Sequence, residues 1–440
     1  MWIGRIVAAL VSLFALPLAG AEGTTDGHNP FGVIAGVARR PDAVTRVIDL
    51  GAGWVRLNTD LADPTPDFAA FLEAGVNVVI TVANRDPSNV VTTYGTPTQW
   101  IHAGFPFASK DRYEQDLRDV LAPVLPYLDR GRQVWVQAEN EIGDASVNPR
   151  AVYWRGTLDQ YLDQLAALHD AVKSLDPRLG VVLTSFASDS LDAAVDPIDP
   201  HHDYAVRKLE RLLSEGAYDA ADLHFYGCVE DIPAKIAWVE ERLPQGRAWI
   251  STENGGPDSE CPTTPGSWRD GLPAFEALQA RQVPARLRAC ADGGGAVCLW
   301  FSLFDLRDEV DRFNHLGLLD SRVLPPREKP AYDAFRSFLR SYGVRSISVA
   351  ASPWRVAAGE TATVRGEIAG DAGCVAGQPV ELRAGPLGGT LRRVRTGTTD
   401  ADGLYRFAVS PHTSTRYRAV APADGLCDLA RSRTVVVRVS

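Results

Sequence analysis

The sequence lacks an excess of basic residues. Its 440 residues include 45 Lys and Arg against 55 Asp and Glu, which gives a formal net charge of -10 at pH 7. A protein that binds nucleic acid needs a basic surface to neutralise phosphates, and adhesion to an anionic membrane has the same requirement. We therefore expect neither nucleic acid nor an anionic membrane surface as a partner.

Long apolar runs are also lacking, except at the N-terminus. There, a basic stretch at residues 1–5 precedes an apolar stretch at 6–18, and Ala19-Gly20-Ala21 fits the small-residue cleavage pattern. Because the apolar stretch is shorter than a membrane span, we favour a cleaved signal peptide at residues 1–21 over an uncleaved anchor. The prediction is a secreted or periplasmic protein, free of the membrane after cleavage.

No CxxC pair and no cluster of Cys with His occurs, so we predict no metal site. The six cysteines of an exported chain are expected to form disulfides instead. Six cysteines allow fifteen pairings, which their positions narrow. Two lie in the C-terminal segment, two flank a glycine-rich turn and two remain, which predicts Cys374–Cys427, Cys290–Cys298 and Cys228–Cys261.

A glycine-rich phosphate loop is missing after the first predicted strand, which disfavours nucleotide binding. Apolar strand-like runs alternate with amphipathic helical stretches, of which 158–175 is the clearest. Eight strands are predicted, at residues 31–37, 54–58, 76–83, 133–139, 180–185, 221–226, 248–253 and 296–302. Eight such units in this length favour a closed (β/α)8 TIM barrel over a doubly wound open sheet. Two long loops, 84–109 and 186–204, are expected to shape a cleft at its rim.

The pattern of apolar and polar residues changes near residue 345. Short alternating strands separated by turn residues predict a small all-β sandwich. This segment resembles the bacterial immunoglobulin-like modules appended to secreted enzymes. The predicted domains are thus an α/β barrel at 22–344 and an immunoglobulin-like sandwich at 345–440. The sandwich could bind polysaccharide or serve as a spacer, and the lack of a row of exposed aromatics favours a spacer.

Two glutamates stand at the ends of strand-like runs. Glu141 follows the fourth predicted strand and Glu253 ends the seventh. Opposed strands of a closed barrel can bring such side chains together across its mouth. A pair of carboxylates facing one substrate is the usual apparatus for cleaving a glycosidic bond. Taken singly, each glutamate would be interpreted as a surface residue on a loop, and only the two together favour a catalytic function.

These residues carry a resemblance to the clan A glycoside hydrolases, which are retaining (β/α)8 enzymes with one glutamate after strand four and another after strand seven. Asn140-Glu141 matches the asparagine that precedes the proton donor, and Thr252-Glu253 resembles the nucleophile site. Weaker matches, in the expected order, are Arg56 on strand two, His224 and Tyr226 at strand six and Trp300 on strand eight. The resemblance covers about residues 30–342 and implies hydrolysis of a β-linked glycoside, with Glu141 as acid/base and Glu253 as nucleophile.

The resemblance also implies supporting roles, without any metal or organic cofactor. Arg56 and Tyr226 are expected to orient Glu253, Asn140 to bind the sugar 2-hydroxyl, His224 to bind a hydroxyl or orient Glu141, and Trp300 to stack on a sugar face. Simpler readings are a structural salt bridge for Arg56, a satisfied core histidine for His224 and core packing for Trp300. Glu139 competes with Glu141 as proton donor, and only the asparagine motif favours Glu141.

Three other functions compete with a monomeric glycosidase acting on carbohydrate. The first is a catalytically inactive carbohydrate-binding barrel of the cell envelope, which the presence of both glutamates disfavours. The second is a metal-dependent hydrolase on the same fold that uses His201, His202, Asp203 and His224. The third is a structural envelope protein in which the sandwich carries the function.

Overall fold

The computed structural model describes residues 29–35, 40, 42–64, 68–306, 312–424 and 426–440. The predicted signal peptide lies outside these residues. Eight parallel strands close into a barrel in chain order, with the last strand paired to the first. The predicted TIM barrel is therefore confirmed, and the open-sheet alternative is excluded.

The barrel strands match the eight predicted runs to within a few residues. They are β1 (Phe31–Ile34), β2 (Trp54–Asp60), β3 (Asn77–Ala83), β4 (Val134–Ala138), β5 (Gly180–Phe186), β6 (Ala220–Phe225), β7 (Ala248–Asn254) and β8 (Cys298–Trp300). Residues 36 and 37, the predicted end of the first strand, lie outside the described part. Helices cover the outer face of the barrel, so the strands are buried on both sides and are almost continuously apolar.

Ten α-helices are described along the chain. They are α1 (Ala43–Leu50), α2 (Phe68–Glu73), α3 (Lys110–Leu121), α4 (Leu125–Leu128), α5 (Leu158–Leu175), α6 (Ser188–Val195), α7 (His202–Glu215), α8 (Ile232–Glu240), α9 (Leu272–Asp292) and α10 (Pro330–Ser341). Helix α5 has the predicted bounds and begins at a capping box between Thr157 and Gln160. Among the described residues, no helix is long and apolar enough to cross a membrane.

The prediction of a long, Asp-rich loop at 186–204 is wrong. This segment contains α6 and the first residues of α7. Helix α6 buries Leu191, Ala193 and Ala194, and its aspartates lie on the other positions. The helix was missed because Asp and Ser are common in turns as well as on the exposed face of a short amphipathic helix. With only two helical turns, the apolar periodicity is too short to tell the two apart. The loop at 84–109, in contrast, contains no helix or strand element.

The C-terminal segment is an all-β domain built from two sheets. After a two-stranded sheet of β9 (Leu319–Asp320) and β10 (Arg327–Glu328), its strands are β11 (Arg345–Ile347), β12 (Ala350–Ser352), β13 (Arg355–Val356), β14 (Ala362–Gly370), β15 (Pro379–Pro386), β16 (Arg392–Thr398), β17 (Leu404–Val409), β18 (Thr415–Ala421), β19 (Ala430–Arg431) and β20 (Val435–Val439). Strands β11, β12, β14 and β17 form one sheet and the others form the second.

Apolar side chains from both sheets make a single core, in which Val364 and Phe407 of the first sheet join Leu382 and Tyr417 of the second. This packing of two sheets is the architecture of a β-sandwich. Its likeness to immunoglobulin modules and the domain limits of 22–344 and 345–440 stay predictions. Helix α10 ends at Ser341 and β11 begins at Arg345.

The three disulfides in the structure are the three predicted pairs. They join Cys228 to Cys261, Cys290 to Cys298 and Cys374 to Cys427. The first links the segments that follow β6 and β7, and thus stands beside the strand end that carries Glu253. All six cysteines are paired.

The interior of the barrel is layered. Its floor is an apolar cluster that includes Trp54, Val79, Val182 and Ile250, all fully buried. The next inward positions toward the carboxyl ends of the strands are polar, and the glutamates lie beyond them. The sequence produces these layers because inward side chains alternate along each strand, as in Trp54 and Arg56 on β2.

Candidate active site

Glu253 is held by two donors at the mouth of the barrel. Arg56 Nη1 donates to one of its carboxylate oxygens at 2.7 Å, and the Tyr226 hydroxyl donates to the other at 2.6 Å. The Glu253 side chain is 12% exposed and that of Arg56 is 2% exposed. A carboxylate has only acceptors, so it satisfies both donors at once. The structure thus brings Arg56 and Tyr226 to the side chain that the sequence assigned to them.

Glu141 follows β4, three strands away from β7 in the barrel. One of its oxygens lies 2.6 Å from Nδ1 of His224, and its side chain is 18% exposed. A carboxylate oxygen of Glu141, a ring nitrogen of His224 and a carboxylate oxygen of Glu253 all lie within 4.8 Å of one another. Strand register explains why two of these three side chains meet, because His224 on β6 is directly opposite Glu253 on β7.

The turn that carries Glu141 is strained. Glu139 has φ 61° and Glu141 has φ 40°, and they are the non-glycine residues with positive φ in the described part of the chain. Left-handed backbone at such residues costs roughly 1–3 kcal/mol each and persists where the surroundings hold it in place. Two such residues around Asn140 turn the chain sharply after β4. Strain of this kind clusters at functional sites.

The structure separates the two competing glutamates. Glu139 is 1% exposed, and one of its oxygens accepts hydrogen bonds from the backbone N–H of Asn84 and from Nε2 of Gln164, both at 2.8 Å. Burial raises the pKa of Glu139 well above the usual range of a glutamate. It thus fastens the start of the 84–109 loop to α5, away from the mouth. Glu141 is the glutamate of this motif that reaches the cleft.

His224 is a buried cation between carboxylates. Burial alone would lower the pKa of the imidazole, but Glu253 and Asp222 outweigh it and raise the pKa to about 10. Asp222 is itself fully buried, which would raise its pKa, yet His224 and then Arg56 hold the pKa of that carboxyl well below its usual value. His224 is therefore charged at neutral pH and donates from Nδ1 to Glu141.

A polar layer beneath the glutamates fixes these groups. Asp222 accepts hydrogen bonds from Gln137 Nε2 at 2.6 Å, from Ser185 Oγ at 2.7 Å and from Thr252 Oγ1 at 2.6 Å. The layer continues to Arg56, which donates to Thr81 Oγ1 at 2.7 Å and to Gln137 Oε1 at 3.1 Å. A connected buried network of this kind rigidifies the groups above it.

Sequence reasoning did not single out Gln137, Ser185, Asp222 or Thr81 as site residues, and it named Thr252 only as part of the motif around Glu253. The available signal was the spacing of Asp222 and His224, which puts two polar side chains on the same face of an otherwise apolar strand.

Asn140 lies inside this arrangement. Its amide oxygen accepts from Arg56 Nη2 at 2.7 Å and lies 3.2 Å from Ser185 Oγ, which donates its hydrogen to the nearer Asp222. In the described part of the chain its Nδ2 donates to no protein group, so the amide nitrogen is available to a ligand. A role in binding the sugar 2-hydroxyl stays a proposal that this orientation supports.

The expectation that Trp300 stacks on a sugar is wrong. Its side chain is 0% exposed, belongs to the main apolar core and donates from Nε1 to the backbone oxygen of Leu316 at 2.9 Å. A stacking platform needs one open ring face, and this ring has none. Beside the nucleophile candidate, the aromatic contacts are Phe313, 5.0 Å from the Tyr226 ring centroid, and Phe301, 6.2 Å from it.

Glu141, His224 and Glu253 form a donor set that could hold a divalent cation. Two features oppose this use. Arg56 already places a positive charge on Glu253, and His224 would have to lose its proton to ligate. The residues of the rival metal site are not brought together: His202 begins α7 with Nδ1 2.9 Å from the Ala193 oxygen, and among the described residues no metal-capable group contains His201, His202 or Asp203.

Comparison with solved structures found carbohydrate-active enzymes. Bacteroides uniformis beta-glucuronidase 2 is similar at TM-score 0.45 and 14% identity over 90% of this chain and 43% of that one. A putative beta-galactosidase from Bacteroides fragilis has TM-score 0.44 and 15% identity over 94% and 55%, respectively. A psychrophilic family 10 endo-beta-1,4-xylanase has TM-score 0.42 and 14% identity over 70% and 96%.

The chain thus spans 43% of the length of the glucuronidase and 55% of the length of the galactosidase. No family model matches the sequence, and no curated protein matches it.

Proposed function

We propose that the protein is a glycoside hydrolase. The observation that carries the proposal is the pair of glutamates at the barrel mouth. One oxygen of the Glu141 carboxylate lies within 4.8 Å of one oxygen of Glu253, and both side chains are partly open to solvent. A closed barrel places its chemistry at this end of the strands. Two carboxylates that share a cleft can act on one bond from both sides.

The spacing supports the retaining mechanism in particular. Retaining enzymes have carboxyl groups about 5–5.5 Å apart, whereas inverting enzymes need about 6.5–9.5 Å to admit a water molecule. In the first step, Glu253 attacks the anomeric carbon of a β-linked glycoside while Glu141 gives its proton to the departing oxygen. In the second, Glu141 takes a proton from water, which breaks the glycosyl ester and regenerates Glu253.

The hydrogen-bond partners of the two glutamates fit these unequal roles. Glu253 has a donor on each oxygen and so is oriented as an acceptor-only nucleophile. Glu141 has one oxygen bonded to His224, and in the described residues its second oxygen has no protein partner and can carry the transferred proton. Arg56, Tyr226, Asn140 and His224 are the supporting residues of this proposal.

The setting proposed for this enzyme is secretion or the periplasm, with carbohydrate as the partner and the monomer as the working form. Three disulfides support an oxidising compartment, because such bonds are rare in the cytosol. The reaction as written needs no metal or organic cofactor.

A panel of chromogenic β-glycosides tests the proposal on wild type, Glu141→Ala and Glu253→Ala, with azide added to each variant. Both variants are expected to lose about 10²–10⁴-fold or more in rate, because each removes a group that acts on the reacting bond. Azide should restore turnover of both. Glu253→Ala should then give the α-glycosyl azide by one displacement, and Glu141→Ala the β-glycosyl azide by two.

The matched control is Glu210→Ala, which removes a half-exposed glutamate on α7 and is expected to leave turnover unchanged. Release of the α-anomer of the sugar by wild type would contradict retention. A wild type that binds glycans without turning over any of them would favour the inactive carbohydrate-binding barrel.

A further inference from the structure

The sandwich differs in charge from the rest of the chain. Residues 345–440 contain 13 arginines and no lysine against eight Asp and Glu, although the whole chain carries a net charge of -10. Arginine has a planar fork of donors that matches the geometry of carboxylate and other oxyanions, which lysine lacks. The preference for arginine over lysine runs through the whole chain, which has 40 arginines and 5 lysines, so it is the positive net charge that sets this domain apart.

Several of these arginines converge on one pocket of the second sheet. The pocket has a volume of about 350 Å³ and is lined by Arg383, Leu391, Arg416, Arg418, Val420 and Arg431. This volume lies at the lower end of the range for small-molecule sites and suits one or two sugar rings. Its lining contains four guanidinium groups, no carboxylate and no aromatic ring.

Strand register explains why the charges gather. Arg418 on β18 is directly opposite Arg383 on β15, and Arg383 is directly opposite Arg393 on β16. Like charges placed opposite each other across strands destabilise a sheet. Three arginines in a row across neighbouring strands are therefore unfavourable unless an anion lies over them.

The domain provides one such anion, a glutamate, and the other arginines of the pocket have no carboxylate partner among the described residues. Glu381 bonds Arg383 at 2.7 Å and Arg393 at 2.9 Å. In the described part of the chain, Arg416, Arg418 and Arg431 form no ion pair. Arg416 donates to backbone oxygens of Pro386 and Gly389, and Nη2 of Arg418 donates to Thr434 Oγ1 at 3.1 Å.

The Nε of Arg418 is a further sign of a missing partner. This atom is buried and has no hydrogen-bond acceptor. A buried donor without an acceptor is unfavourable, and a ligand oxygen in the pocket would remove that penalty.

We propose that this pocket binds an anionic group, a carboxylate or a sulfate, carried by an acidic polysaccharide. The choice of a polysaccharide over other polyanions rests on the proposed glycosidase function. The sandwich then acts as an accessory binding domain that holds the protein on a charged glycan, and the spacer interpretation of this domain is replaced.

The shape and lining of the pocket favour a sugar polymer over nucleic acid or a membrane. Single-stranded nucleic acid is held by aromatic stacking, and the lining offers only Leu391 and Val420 as apolar side chains. A duplex or a bilayer presents dense charge on a broad surface and needs an extended basic patch. A concave pocket instead suits the anionic group of a single sugar ring within a polymer.

The test uses the full-length chain with Glu253→Gln, so that no polymer is degraded during the measurement. Affinity electrophoresis compares dextran sulfate with dextran, and polygalacturonate with its methyl ester, so that charge varies on a constant backbone. The sulfate and carboxylate pairs distinguish the two anions. Arg418→Gln with Arg431→Gln is expected to weaken binding of the charged polymer by about tenfold or more.

The matched control is Arg365→Gln with Arg406→Gln. These exposed arginines are also directly opposite each other, on β14 and β17 of the other sheet, and their loss removes the same charge. Binding should change less than about twofold in this control. Arg431→Gln alone should also weaken binding. The Arg431 side chain is exposed and makes no hydrogen bond in the described residues, so this single variant is expected to fold even if the double variant does not.

Equal weakening in the pocket and control variants would overturn the proposal, as would equal affinity for charged and neutral polymers. Tighter binding to single-stranded DNA or to phosphatidylglycerol vesicles than to any polysaccharide would overturn it as well. Failure of the glycosidase proposal is recognised separately, by absent turnover in the β-glycoside panel. Variant-sensitive binding of a charged glycan would still support the pocket in that case.

Discussion

Nδ1 of His224 lies 2.6 Å from a carboxylate oxygen of Glu141, while Nε2 of the same ring lies 3.4 Å from the carboxylate of Asp222. The imidazolium thus joins the proposed acid/base to a carboxylate buried in the barrel. Side chains on β4, β5 and β7 donate hydrogen bonds to Asp222 and fix it in place. Asp222 is therefore a positioning residue, which acts on Glu141 through His224.

The charge state of His224 makes barrel stability depend on pH. Its pKa in the folded protein is about 10, above the value near 6.5 of an unfolded histidine. The resulting stabilisation is fully present below pH 6.5 and is lost as the pH rises through 10. We expect the free energy of unfolding to fall across this range by up to about 1.4 kcal/mol per pH unit. Urea titrations followed by tryptophan fluorescence measure this slope.

Asp222→Asn should flatten that slope, because it removes a charge that raises the pKa of His224. It should also lower the free energy of unfolding at pH 6 by roughly 3–5 kcal/mol, the usual effect of breaking a buried charged pair. Asp159→Asn is the control, since its carboxylate is 73% exposed and far less affected by burial. An unchanged slope in Asp222→Asn would refute the link between these residues.

Glu139→Gln should separate the structural glutamate from the proposed catalytic one. Glutamine preserves the shape and an oxygen that can accept from Asn84 and Gln164, so turnover is expected to stay within about threefold of wild type. Glu141→Gln, in contrast, removes the transferable proton and should lower turnover by about 10²–10⁴-fold. Parallel kinetics of the two variants on one β-glycoside make the comparison.

The free energy of unfolding provides a second test of Glu139→Gln. Burial raises the pKa of Glu139 above that of an unfolded glutamate, so its protonated form stabilises the fold at low pH and this stability is lost as the pH rises. Glutamine does not ionise. The variant should match wild type near pH 4 and exceed it in free energy of unfolding at pH 8. Lower stability of Glu139→Gln at pH 8 would show that the ionised carboxylate is needed.

The barrel could be predicted from sequence because each strand is covered on both faces and so appears as an apolar run with sharp ends. The two glutamates stood out for the same reason, as charges placed just beyond such runs. Trp300 could not be assigned, because a tryptophan at a strand end looks the same whether its ring faces a cleft or the core.

The polar layer was equally hard to predict. Gln137 and Asp222 have no local signal of their partners, since their hydrogen bonds cross strands that are distant in sequence. The arginine pocket likewise exists only through strand register, because Arg383 and Arg418 are 35 residues apart in the chain yet directly opposite in the sheet.

Tyr226→Phe tests whether the hydroxyl on Glu253 serves catalysis or only packing. The ring stays, so its contacts with Phe301 and Phe313 are preserved, while the 2.6 Å hydrogen bond to the carboxylate is lost. A hydrogen bond to a charged group is worth roughly 1.5–3 kcal/mol, which corresponds to a fall in kcat of about 10–100-fold. KM should change little if the bond orients the nucleophile and does not bind substrate.

Tyr218→Phe is the matched control, because it removes an equally buried hydroxyl that donates to the backbone oxygen of Leu213 at 2.9 Å, away from the site. This variant should lose about 1 kcal/mol of stability and keep its kcat. If Tyr226→Phe loses stability by the same amount and keeps full kcat, the hydroxyl supports the fold alone. A fall in kcat in Tyr226→Phe but not in Tyr218→Phe instead identifies Tyr226 as a positioning residue of the nucleophile. A general effect of losing a buried hydroxyl would appear in both variants.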